Sequence, residues 1–198
     1  MAAFRVFAVA FSLAAAVALP GGSRAGDGTP PIAGLSQYRF LQDSRWYVPT
    51  ATLPAVELNL QTGTVRAVID QTVWDIERYT YGYFWGRTIA RLIRPGTQDP
   101  IGDPACLRLL GSVTPDGRVN ITFINEDQTT ALGAVSGIGK LSRGGNGRSP
   151  RFQMQMATGL TSVIAHSSYM DQCRAGQPCQ ARLPGTNLSL SQFLALCD

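Results

Sequence analysis

The chain reads as an all-β domain, an antiparallel meander of about eight strands coiled into a closed or nearly closed small barrel, followed by a short C-terminal α-helix. Three observations predict it. From Tyr38 onward, short runs alternate apolar with polar residues, which puts one face of each run in a core. Glycine, proline and aspartate at turn positions separate the runs. No useful stretch has a helical period until Ser189.

The first strand is expected around Arg45 to Val48 and another from Thr64 to Ile69. A hairpin then joins Gln71–Tyr79 to Tyr83–Leu92 through Thr80-Tyr81-Gly82. The clearest hairpin has Leu107, Leu109, Gly111 and Val113 on one face, a Thr114-Pro115-Asp116-Gly117 turn, and a return strand with Val119, Ile121 and Phe123 alternating with polar residues. Proline presets φ in that turn and Gly117 tolerates positive φ. A strand from Thr129 to Val135 is expected to extend toward Leu141, past Gly137 and Gly139. After the glycine-rich loop Ser142–Pro150, Phe152, Met154 and Met156 alternate with Gln153 and Gln155, and a last strand runs from Thr161 to about Tyr169. Glycines inside strands help a sheet coil, and closure removes exposed edges, so a barrel is preferred to an open sandwich. Ser189-Leu-Ser-Gln192 fits a capping box, with Leu190, Phe193, Leu194 and Cys197 on one helical stripe.

Residues 1–25 read as a cleaved export signal. Arg5 is the positive n-region, Val6–Leu19 contains no charged residue, and Ser23-Arg24-Ala25 offers small residues where a signal peptidase reads. The apolar run falls short of the roughly 20 residues that a membrane-spanning helix needs. Removing it leaves roughly 170 residues of the 198, enough for one domain with a core and too few for two. Residues 26–37 are read as a flexible leader and 38–198 as the single domain with its helix. The protein is therefore expected to be exported, periplasmic or secreted. Of 17 basic residues the signal takes Arg5 and Arg24, leaving 15 against 13 acidic. An excess of two is too small to imply nucleic acid or an anionic membrane as partner.

Four cysteines, Cys106, Cys173, Cys179 and Cys197, all lie in the exported part, and an even count there favours two disulfides. Three pairings are possible. Cys173 with Cys179 is favoured, because Arg-Ala-Gly-Gln-Pro can turn tightly between them, leaving Cys106 with Cys197. A metal site is the rival, but no Cys-x-x-Cys pair occurs and the one histidine is not at finger spacing. No metal or cofactor is assigned.

The densest recognition-type cluster is the Gln71–Leu92 hairpin, which holds Trp74, Tyr79, Tyr81, Tyr83, Phe84 and Trp85 with Asp75, Glu77 and Arg87. Trp74 shares a face with Ile76, and Tyr83 and Trp85 share one with Arg87. Aromatics with a few polar tips suit a small-ligand pocket or a sugar platform, although the same rings also fill barrel cores. Asp75 and Glu77 would project from one face at about the spacing of paired glycosidase carboxylates, but so common a spacing reads first as an exposed charged face. His166, with Ser162, Ser167, Ser168 and Asp171 nearby, suggests a triad only superficially, since Ser167 points opposite to His166 and no G-x-S-x-G elbow occurs. Arg143, Arg148 and Arg151 read as a solvated loop tip, and Met154 and Met156 as core.

Ser44-Arg45-Trp46 resembles the Gly-x-Trp of lipocalins over three residues, with serine in place of glycine and no second lipocalin motif after it. It assigns no family; the barrel expected is lipocalin- or avidin-like in architecture only. An outer-membrane barrel is disfavoured by the short glycine-bent strands and the C-terminal helix. The first functional expectation is an exported barrel that binds a small apolar or aromatic ligand, or a sugar, without catalysis, through Trp74, Tyr83, Trp85, Arg87 and His166. The second is a structural or protein-interaction module of the cell envelope, with a hydrolase a distant third.

Overall fold

Nine antiparallel strands form one sheet that closes on itself: β1 (Ser44–Tyr47), β2 (Pro54–Asn59), β3 (Val65–Thr80), β4 (Tyr83–Ile93), β5 (Pro100–Val113), β6 (Arg118–Asn125), β7 (Val135–Ser142), β8 (Arg151–Gly159) and β9 (Ser162–Cys173). The structure, a computed structural model, describes residues 33–50, 54–125, 135–145, 149–159 and 162–198. From β3 to β9 each strand pairs with the next, and β9 returns to pair with both β1 and β2. Those two short strands share one position between β9 and β3, so the wall is an eight-position barrel with one extra strand. No helix among the described residues is long and apolar enough to cross a membrane.

The expected alternation sets the inner face. Val119, Ile121 and Phe123 of β6 are buried, as are Leu107, Leu109 and Val113 of β5 and Phe152, Met154 and Met156 of β8. The β3–β4 hairpin turns through Tyr81 and Gly82 at φ 46° and 87°, the left-handed pair that a two-residue hairpin loop requires. Gly111 gives close approach: a Cβ there would lie 2.2 Å from Cζ of Phe84. The absent side chain is the space that the Phe84 ring fills.

Three boundaries differ from expectation. β3 is one strand where two were read, the first ending at Ile69 and the second starting at Gln71, because polar Asp70 looks like a break between them but is buried. Gln71 donates to the Val48 carbonyl at 3.2 Å and accepts from the Gly185 amide at 2.8 Å, satisfied outside the barrel. β2 was not expected, since Glu57 turns inward while Val56 is exposed, an inversion of the usual pattern. β5 starts at Pro100 rather than near Leu107, with Gly102 and Pro104 masking its first half. Residues 1–32, with the expected export signal, lie outside the described residues, as do Arg148 and most of the strand expected at 129–135.

One end of the barrel is closed by a 3-10 helix, Leu35–Leu41, which begins inside the stretch read as leader. Leu35, Tyr38 and Leu41 are buried. The Tyr79 hydroxyl donates to the Leu35 carbonyl at 2.6 Å, and Gln37 donates to Pro115 in the β5–β6 turn at 2.8 Å. Beneath this plug Phe152 meets Trp46, Trp74 and Phe84 at centroid distances of 4.6, 5.1 and 6.0 Å, within the range of favourable ring pairs.

Outside the barrel, α1 (Pro178–Ala181) and α2 (Leu190–Leu194) cover β3 and β4. Leu183, Leu190, Phe193 and Leu194 bury Val73 and Ile89. Ser189 and Gln192 form the expected capping box. The two disulfides are Cys173–Cys179 and Cys106–Cys197, and the second ties the end of the C-terminal segment to the outward side of β5.

Candidate ligand site in the barrel interior

Away from the aromatic end, the inner wall changes character. Every second residue of a strand faces one side, so β3 sends Trp74, Thr72 and Asp70 inward in descending order from the plug. On β9 the inward series is Met170, Ser168, His166 and Ile164, with His166 beside Met156 of β8 and Ile164 beside Glu57 of β2. Asp70, Thr72, Thr88, His166 and Ser168 are all buried. Glu57 and Arg66, paired across β2 and β3, form an ion pair farther along.

Four of these groups are incompletely bonded. Trp74 Nε1, His166 Nδ1 and Ser168 Oγ are buried without a hydrogen-bond partner among the described residues. Among the described residues the direct donor to Asp70 is the Thr72 hydroxyl, at 3.1 and 2.9 Å from its two oxygens. His166 Nδ1 lies 3.8 Å from Asp70 Oδ2, beyond hydrogen-bond range. Native interiors satisfy the great majority of such atoms, and each orphan costs about 1–3 kcal/mol. Three unpartnered polar atoms and a buried carboxylate thus share the inner wall below the aromatic end.

Burial holds the Asp70 carboxyl above its ordinary range, opposed by the nearby His166 imidazole and by the Thr72 hydroxyl. The folded protein therefore keeps this proton over a pH window in which the unfolded chain, at about 3.9, has released it. Stability contributed by Asp70 falls as pH rises through that window. Asp70→Asn, which never ionises, is expected to gain thermal stability on the parent as pH rises from about 4 toward neutrality. Melting curves of both proteins across that range test it; a difference that does not change with pH contradicts it.

The five residues read from sequence do not line one site. Trp74 and His166 face the interior, where Trp74 also touches Phe123 at 5.8 Å. Tyr83 and Trp85 lie on the outer face of β4, 58% and 39% exposed, with Trp85 beside Leu110. Arg87, on the same outer face, is engaged by Asp198 at 2.7 Å and by Asp75 at 3.7 Å. Asp75 also pairs with Arg45, and Glu77 meets Arg108, so these carboxylates make outer-surface ion pairs. Ser167 is exposed on the side of β9 opposite His166. Arg151 is held by Asp171 at 2.6 and 2.9 Å and stacks on Tyr169. Asp70, Thr72, Ser168 and the Glu57–Arg66 pair were missed; the available signal was polar residues at the core parity of otherwise apolar strands.

No protein-family model, curated protein or solved structure matches the chain.

Proposed function

We propose that the protein is an exported, non-catalytic binding barrel. It holds a small ligand with an apolar or aromatic body and at least one hydrogen-bonding group inside the chamber between the aromatic end and the Glu57–Arg66 pair. The observation that carries the reading is the set of orphaned interior atoms on Trp74, His166 and Ser168. Trp74 Nε1 can only donate, so the guest supplies an acceptor, while Ser168 takes either role. The aromatic end offers the area against which a ring or alkyl body is buried. Two disulfides support an oxidising compartment, periplasmic or extracellular.

Native mass spectrometry of the protein purified from its own source, compared with the same sample denatured, tests the proposal. A mass excess lost on denaturation, and absent from Trp74→Phe, is expected. Identical masses in both states overturn it.

One observation favours a second reading. Tyr83, Trp85 and Leu110 are exposed side by side on the outer wall, as an interaction module of the envelope would need. On that reading a partner, not a small molecule, accompanies the purified protein.

A further inference from the structure

On the inner face Glu57, Asp70 and His166 are buried, and Arg66, whose side chain is 56% exposed, pairs with Glu57. Glu57 and Arg66 neutralise each other, the guanidinium Nε donating to the carboxylate. That leaves Asp70, 3% exposed, as the acid deepest in the wall. A carboxylate has two oxygens and about four acceptor sites. Here one Thr72 hydrogen serves both oxygens, and His166 Nδ1, itself without a partner, stands 3.8 Å off. Among the described residues the inner wall is thus short of donors beside a buried acid, and the guanidinium of Arg66 is engaged by Glu57.

Resting on the interior-site reading above, we infer that the ligand is a neutral or cationic molecule that gives a hydrogen-bond donor to Asp70, and that carboxylate ligands such as fatty acids are rejected. The physics is asymmetric. A hydroxyl or ammonium supplies the donor that the acid lacks, and His166 Nδ1 can take part in the same contact. A guest carboxylate adds a negative charge to a buried region whose guanidinium, that of Arg66, is already taken by Glu57, so even beside a protonated Asp70 its charge stays uncompensated at low dielectric. Arg66 cannot rescue it without giving up Glu57, which would strand another buried acid.

A matched probe series tests this. Naphthalenemethanol, naphthylmethylammonium and naphthoate share one aromatic body and differ in the polar group. Calorimetric titration of each into the full chain at neutral pH is expected to show the alcohol or the ammonium binding at least about tenfold tighter than naphthoate, equivalent to about 1.4 kcal/mol. In Asp70→Asn, with folding checked by circular dichroism, the difference is expected to shrink to about threefold or less. Naphthoate binding as tightly as the others, or discrimination unchanged in Asp70→Asn, overturns the inference while leaving the interior site standing. Failure of all three probes removes the interior site itself, and the inference with it. Should Asp70→Asn not fold, Asp70→Ser takes its place, and the order of the three probes on the unaltered protein decides.

Discussion

Converting both Cys106 and Cys197 to serine is expected to lower the unfolding free energy by about 4–5 kcal/mol. The bridge joins residues 91 apart in sequence, and in the chain-entropy model a cross-link restricts the unfolded ensemble more as its loop lengthens. It also pins the end of the C-terminal segment to the outer side of β5, where α2 already shields Val73 and Ile89. Loss of the bridge frees that cover to fray. For a domain of this size the melting temperature should fall by roughly 10–15 °C. The Cys173–Cys179 bridge, only six residues apart, should cost about 2 kcal/mol on the same model. Differential scanning calorimetry of the two double-serine proteins decides: equal losses would show that loop length does not govern either effect.

Phe152→Ala is expected to cost about 3–5 kcal/mol. Its ring is fully buried at the centre of the aromatic end, against two tryptophans and Phe84. Truncation removes apolar area and three ring pairs at once, and the plug above and the sheet around it leave little room for collapse. The near-ultraviolet circular dichroism of Trp46 and Trp74 should weaken in the same protein, because their fixed asymmetric neighbour is gone. Chemical denaturation measures the cost; a loss below about 1 kcal/mol would show that the site repacks freely.

The fold was legible where ordinary rules of sheet patterning apply. Val119, Ile121 and Phe123 declared the inner face of β6, Gly117 its turn, and Ser189 with Gln192 the start of α2. Both disulfides followed from turn chemistry and the apolar stripe carrying Cys197. The interior site was only half legible. His166 and Trp74 stood out as residue types, but polar Asp70 fell between the two strands read there, and Thr72, inside the second, gave no sign of facing the core. Glu57, polar and turned inward, hid β2. A buried polar residue breaks the pattern by which its own strand is recognised, and parity alone, without knowledge of which face is inside, could not repair the reading. Tyr83 and Trp85 misled in the opposite sense, being rings that the β4 register turns outward.

The shared position of β1 and β2 has a mechanical consequence. Between the residues that β1 and β2 engage, β3 runs through Asp70, Gln71 and Thr72, with Val48 N–H donating to the Thr72 carbonyl, and β9 runs from His166 to Met170 without a ladder partner on that side among the described residues. A hoop with one interrupted stave does not resist strain evenly. Its compliance is concentrated at the interruption, beside His166 and Asp70, while the seven continuous staves and the aromatic end stay stiff. The wall is softest beside this buried acid and imidazole.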